Sequence, residues 1–201
     1  MKFLFAILMI LTLCNSGCNN PFTAAERKII GTGNDMMRVT TIDNEADSTL
    51  LRRTSRPLRK KDILSEEFTT LCRRMLSTVQ NPENEGVGIA APQVGILRRV
   101  VAVQRFDKPG EPFEFYVNPK IVEYGEEMEY SGEGCLSVPE QSGDVLRSQS
   151  IKIEYRDSNF DLRTEAIEGF TAIIFQHEID HLDGILFIDR MDDDKEEYFE
   201  E

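Results

Sequence analysis

The order of patterns along this 201-residue chain predicts an α+β fold, with mostly antiparallel sheets packed around a C-terminal helix. Three observations carry that prediction. An amphipathic helical stripe comes early, a series of short β-branched and aromatic runs separated by turn residues follows, and a strongly apolar helix comes last. No internal repeat interrupts this order, and the length suits one domain with appendages.

The first residues differ in kind from the rest. Lys2 precedes an apolar run from Phe3 to Leu13, followed by Cys14-Asn15-Ser16-Gly17-Cys18, which is the layout of a bacterial export signal. The run is too short for a transmembrane helix. Ser16-Gly17-Cys18 resembles a lipobox that would leave Cys18 as a lipidated first residue, although Asn15 stands where a leucine is usual. Residues 1–18 are therefore expected to be a signal, 19–37 a polar tether, 38–191 the folded domain and 192–201 an acidic tail. On this reading the protein is exported, as a lipoprotein anchored to the membrane through Cys18 or as a periplasmic protein. It is cytoplasmic if the signal is not used, with a start at Met36 or Met37.

Within the domain, Phe68, Leu71, Cys72, Met75, Leu76 and Val79 recur at helical spacing. Ser65 caps that helix with Glu66 and Glu67 in the first turn, and it ends near Gln80, before Asn81-Pro82. Residues 85–93 read as a glycine-containing loop. Strands are expected at Arg99–Gln104, Phe113–Val117, Lys120–Glu123, Ser150–Tyr155 and Leu162–Ala166, with turns at Asp107-Lys108-Pro109-Gly110 and Asp157-Ser158-Asn159. The last helix closes at Gly184.

The formal charge is −13, and the chain has no tryptophan. Such an acidic balance opposes nucleic acid and anionic membrane as partners. Of the four cysteines, Cys14 and Cys18 belong to the leader. Cys72 falls on the apolar stripe and reads as a buried small hydrophobe rather than half of a disulfide with Cys135.

Only two histidines occur, both in His177-Glu178-Ile179-Asp180-His181. At about 100° of turn per residue, positions four apart share a helical face, so both imidazoles can reach one metal ion. Glu178 sits next to the first of them, within reach of water at that ion. Phe170, Ile173, Ile174, Phe175, Ile179 and Leu182 make the helix apolar and buried, an environment in which paired histidines commonly share a metal. A catalytic site of this kind needs a third protein ligand. Cys135, in the turn-forming run Glu133-Gly134-Cys135-Leu136-Ser137-Val138-Pro139, is the candidate. Asp180 is expected to pair with Arg147 as a strut between the Cys135 loop and the helix.

Gly86-Val87-Gly88-Ile89-Ala90-Ala91-Pro92-Gln93, Glu133-Gly134-Cys135-Leu136-Ser137 and Gln176-His177-Glu178-Ile179-Asp180-His181 resemble, in order, the three signature motifs of the peptide deformylase family. The resemblance runs from about Arg38 to Met191. It implies removal of the formyl group from N-formylmethionyl peptides, releasing formate. It also implies Cys135, His177 and His181 as ligands of one divalent metal. Glu178 would take a proton from water and pass it to the leaving nitrogen. Gln93 and the backbone N–H of Leu136 would bind the oxyanion. Val87 and Gly88 would pair with the substrate as an added strand, and Ile173 and Ile174 would wall a methionine pocket. By the resemblance the metal is Fe²⁺; by softness and geometry the ligand set also suits Zn²⁺. Ni²⁺ or Co²⁺ could substitute. No oligomer is needed, and a monomer is expected.

Two rivals stay open at the level of sequence. An HExxH zinc metallopeptidase would draw its third ligand from a downstream glutamate such as Glu201. A catalytically silent lipoprotein would use the same residues only to bind metal or formyl peptide.

Overall fold

The computed structural model describes residues 22–84 and 86–191. The expected export signal with its Ser16-Gly17-Cys18 box, and the expected acidic tail, lie outside the described residues. Five helices and seven strands follow one another as α1 (Ala24–Gly31), α2 (Glu45–Leu51), α3 (Lys60–Ile63), α4 (Glu66–Val79), β1 (Gly88–Ala90), β2 (Val100–Gln104), β3 (Phe113–Tyr124), β4 (Met128–Cys135), β5 (Val138–Ser148), β6 (Ser150–Arg156), β7 (Leu162–Glu168) and α5 (Gly169–Asp183). A 3₁₀ turn at Ala91–Val94 follows β1, and another at Phe187–Asp189 follows α5.

The strands form an antiparallel sheet in the order β1-β2-β3-β6-β7 and a separate β4-β5 hairpin. Strand β2 shows how the layers arise. Its residues from Val100 to Val103 are buried on both faces, and the period-two alternation sends Val100 and Ala102 to one core and Val101 and Val103 to another. The first core is completed by Leu71, Met75 and Val79 of α4, the second by Ala172, Phe175, Ile179 and Leu182 of α5. A third cluster of Leu51, Val138, Val145, Leu186 and Phe187 fastens the β4-β5 hairpin to α2 and the chain after α5. No described helix is long and apolar enough to cross a membrane.

Helix α4 begins and ends where its sequence says it should. The Ser65 hydroxyl accepts from the Phe68 N–H at 3.2 Å, which fills one of the orphan donors at the helix start. Helix α5 stops at Gly184, whose φ of 78° is left-handed; a Cβ there would lie 2.5 Å from the Arg52 carbonyl oxygen.

Four expectations change, the first being that residues 88–93, read as lying in a loop, belong to β1 and the 3₁₀ turn after it, where β1 pairs with β2 as an edge strand. Residues from Phe22 to Met37 are not a tether. Thr23 and Glu26 form a reciprocal capping box that starts α1, and Phe22, Ile30 and Met37 enter the first core. Glu26 is buried but paired with Arg98 at 2.8 and 3.0 Å, and Arg74 donates to the carbonyls of Ile30 and Met36. Polar residues that are buried in pairs hid this segment, because only three of its apolar side chains, widely spaced, enter the core. The strands expected at Phe113–Val117 and Lys120–Glu123 are one strand, β3, with a bulge where Asn118 adopts a φ of 51° before Pro119. The segment around Cys135, read as turn-forming, is the β4-β5 hairpin. Its glycines, serines and glutamates have weak strand propensity, and the cross-strand ladder supplies the order instead.

Candidate active site

His177 and His181 lie one turn apart on α5, with ring centroids 5.0 Å apart. Cys135 ends β4, where the register to β5 shifts after Gly134 and the chain turns tightly to Val138. That turn brings the Cys135 Sγ to 3.2 Å from the His181 Nε2. The ligand atoms of Cys135, His177 and His181 all lie within 4.8 Å of one another. One soft sulfur and two imidazole nitrogens, converging in a buried place, are a donor set that a divalent transition metal accepts. Burial by itself would raise the Cys135 thiol, but the facing imidazoles of His181 and His177 bring it well below its ordinary range, toward the thiolate that a metal binds. Cys72 and Cys135 are both free thiols. Burial pushes the Cys72 thiol up to about 12, as suits a packing residue.

The orientation of His177 has a traceable cause. Its Nδ1 lies 2.7 Å from the Glu133 Oε2, and a carboxylate can only accept, so the Nδ1 carries the proton and the Nε2 presents its lone pair. Glu133 is fixed in turn by Arg147, which donates to it at 2.6 and 3.1 Å and reaches Asp180 at 2.7 Å with its remaining amine. Arg190 then clamps both oxygens of Asp180 at 2.6 Å. Burial would raise the Glu133 carboxyl, but His177 and Arg147 hold it down at about 2. The expected Asp180–Arg147 pair is therefore present, and Glu133 and Arg190 extend it. Glu133 was legible in principle, because it stands two residues before Cys135 and alternation places both on one face of β4.

Glu178 is buried beside the ligands, and its Oε2 has no protein hydrogen-bond partner. Burial pushes its carboxyl up to about 7, against the pull of the two imidazoles. Gly88 passes directly over it: a Cβ at that position would come within 2.4 Å of the Glu178 Oε1, so only glycine lets β1 run so close. Gln93 is held from behind. Its Oε1 accepts from the Ala90 N–H at 2.8 Å, which leaves the amide NH₂ aimed at the Cys135 Sγ, 3.5 Å away.

These groups line one end of a cleft of about 540 Å³. Gly86, Val87 and Gly88 form one side, Ser131 to Leu136 the other, and Phe170, Ile173 and Ile174 of α5 the apolar floor. Strand β1 is the outermost strand of its sheet, so its far edge faces this cleft without a strand partner. Of the site residues expected from the sequence, Val87, Gly88, Gln93, Cys135, Leu136, Ile173, Ile174, His177 and Glu178 line this cleft, and His181 lies against Cys135. Ser131 and Phe170 are wall residues not expected in the site: a polar strand residue carries no periodic signal, and Phe170, expected only as a buried residue of the apolar helix, is half exposed at the cleft.

A family model for polypeptide deformylase matches residues 36–197. The chain belongs to the polypeptide deformylase family. This deformylase is 38% identical over 149 residues to the peptide deformylase of Leptospira biflexa, covering 71% of this chain and 82% of that one. It is 42% identical over 144 residues to peptide deformylase 2 of Clostridium acetobutylicum, covering 72% of this chain and 90% of that one. Among solved structures, the class I type b peptide deformylase of Acinetobacter baumannii with Met-Ala-Ser bound matches with a TM-score of 0.69 and 35% identity, over 78% of this chain and 98% of that one. The Thermotoga maritima enzyme matches with a TM-score of 0.68 and 36% identity, over 78% and 98%. The chain is accordingly a metal-dependent hydrolase that removes the N-formyl group from peptides. The peptidase rival loses its ground, because the group that meets both imidazoles is the Cys135 thiol; Glu201 lies outside the described residues. Helix α1 precedes the residues that the family model matches.

If Glu133 sets the tautomer of His177, then Glu133→Gln should keep the fold but weaken metal retention roughly 10–100-fold, as loss of a histidine's carboxylate partner generally does. Competition against a chelator of known affinity measures this; unchanged retention would remove Glu133 from the account.

Proposed function

We propose that this deformylase takes N-formylmethionyl peptides as an extra strand along the open edge of β1, and that Glu178, Gln93 and the Leu136 N–H carry out the chemistry at the formyl carbon. The observation that carries this reading is the aim of the Gln93 amide. Its oxygen is tied to the Ala90 N–H, so its only free function is donation toward the thiol-imidazole cluster. A group fixed in that way suits an oxygen that gains negative charge as the amide is attacked.

Cys135, His177 and His181 would hold the ion, which when bound supplies Lewis acidity, lowering the pKa of water and polarising a carbonyl. The protein's own groups then have separate tasks. Glu178 accepts a proton from water and returns it to the departing nitrogen, a role for which a buried carboxyl poised at about 7 is suited. Gln93 and the Leu136 N–H donate to the developing oxyanion, each such donor typically being worth about 2.7–4 kcal/mol. Val87 and Gly88 offer backbone groups to the peptide by strand addition, and Ile173 and Ile174 with Phe170 give the methionine side chain an apolar wall. The Met-Ala-Ser found on the Acinetobacter relative supports a peptide of this kind. One chain supplies every group, which suits a monomer.

For the ion, family resemblance favours Fe²⁺, and the donor set makes Zn²⁺ the next choice, with Ni²⁺ or Co²⁺ as substitutes. For location, the leader from Lys2 to Cys18 favours an exported enzyme, anchored through Cys18 or periplasmic. A thiolate-bound iron is oxygen-sensitive, so an exported iron enzyme suits a host that lives without oxygen.

Formate release from formyl-Met-Ala-Ser tests the assignment: Glu178→Ala should lower kcat by two orders of magnitude or more while the purified protein keeps its metal. Equal turnover in the variant would overturn the role of Glu178. No turnover in metal-loaded wild-type protein would favour a binder. Cell fractionation tests the location, since activity confined to the cytosol with residues 1–18 still attached contradicts export.

A further inference from the structure

The acidic total conceals an opposite local charge. Arg52, Arg53, Arg56, Arg59, Lys60 and Lys61 fall within ten residues that contain no aspartate or glutamate, in a chain with 23 lysines and arginines against 36 acids. All six are exposed. The neighbouring carboxylates are already engaged: Arg52 pairs with Asp189, Arg59 with Asp62, and the nearby Arg99 with Asp183. Arg53, Arg56 and Lys60 have no carboxylate partner among the described residues. At the end of the same segment stands Leu64, 71% exposed, the most exposed of the large apolar side chains in the described residues.

Two placements give this segment a direction. The described chain begins at Phe22, which packs in the same core cluster as Leu58 and Ile63 and lies under the Arg98 guanidinium at 5.3 Å. Arg56 is bonded through its backbone to Leu97 and Arg99, on either side of Arg98. The described chain thus begins in the core that Leu58 and Ile63 of the basic segment also enter, and the 21 residues before Phe22 include the apolar run from Phe3 to Leu13. At its other end the segment meets the C-terminus of α5: the Ser55 N–H donates to the Leu182 carbonyl at 2.7 Å, and Gly184 packs on the backbone of Arg52 and Arg53. The cleft is lined by the earlier part of the same helix, from Phe170 to Glu178.

We propose that the segment from Arg52 to Leu64 is a membrane-facing surface that seats the domain on anionic phospholipid, with the substrate cleft turned away from the bilayer. Unpaired cations beside an exposed leucine match a bilayer surface, where headgroup charge and the acyl boundary lie side by side. The chain's formal charge of −13 gives an anionic surface no overall attraction, so binding would rest on this segment. Phe22, the first described residue, packs with Leu58 and Ile63 of this segment, so the leader is joined to the domain next to it. The surface does not depend on whether Cys18 carries a lipid, nor on the roles assigned in the cleft.

The test compares full-length protein on vesicles of phosphatidylcholine alone and of phosphatidylcholine with phosphatidylglycerol, so that any contribution of the leader common to both cancels in the ratio. The wild type should favour the anionic vesicles, and the preference should collapse at high salt. Arg53→Gln/Arg56→Gln/Lys60→Gln should lower the ratio on the order of a hundredfold, at about tenfold or less per basic residue. The control Lys108→Gln/Lys152→Gln/Arg163→Gln, which removes three cations paired with Glu114, Glu123 and Asp157, should lower it far less. Vesicle-bound wild type should still release formate from formyl-Met-Ala-Ser. Equal effects of the two triple variants, or no preference for anionic vesicles, overturn the proposal. So does a preference that appears only after removal of residues 192–201, which would assign the segment to the acidic tail, or tighter binding to RNA than to vesicles. Loss of activity on the vesicle would overturn the orientation.

Discussion

Arg147 joins the two halves of the site. Its guanidinium is buried between Glu133 of the β4-β5 hairpin and Asp180 of α5, and these two elements belong to no common sheet. Taken with Arg190, the four groups alternate in sign and sum to zero, which is the condition under which buried charge is tolerated. Removing Arg147, which is buried and touches both carboxylates, would leave Glu133 and Asp180 each short of a partner in a dry place, a loss of roughly 3–5 kcal/mol in comparable networks. More consequentially for function, the same ions set positions. Glu133 aims His177, and the Glu133 strand ends two residues later at Cys135, so one carboxylate determines the geometry of two of the three donors.

Around that ionic hinge the cleft is shaped by close approach rather than by bulk. Gly88 brings the open edge of β1 within contact of Glu178, which puts a backbone able to bind peptide and a carboxyl able to move a proton side by side. Gln93 follows from the 3₁₀ turn directly after β1, so the same short segment carries both the strand edge and the oxyanion donor. The aliphatic floor from α5 excludes water and so strengthens each of these polar interactions. A buried Glu178 raised to about 7 is a consequence of that dryness, as is the strong mutual influence of Cys135 and the two imidazoles.

The histidine helix and its end at Gly184 were legible in the sequence because spacing, burial and the terminating glycine all agreed. Cys135 and Gln93 were legible through motif order, not through periodicity. What escaped detection has a common physical character. Residues from Phe22 to Met37 and the β4-β5 hairpin are polar segments whose order comes from partners distant in sequence, Glu26 with Arg98 and Glu133 with Arg147. A charged residue looks solvated until its partner is known. The same blindness applied to net charge, since a total of −13 suggested repulsion from every anionic surface while six exposed cations follow one another within residues 52–61 with no acid between them.

The central claim is that the reacting centre is built from one sulfur and two imidazole nitrogens brought together by that ionic hinge. X-ray absorption at the metal edge of protein purified without oxygen tests it directly, because the edge identifies the element and the fine structure counts its neighbours. The account predicts one bound ion per chain, iron before zinc, with a single sulfur neighbour, at about 2.3 Å if the ion is zinc, and two imidazole nitrogens. A first shell of nitrogen and oxygen alone, with no sulfur, would contradict it.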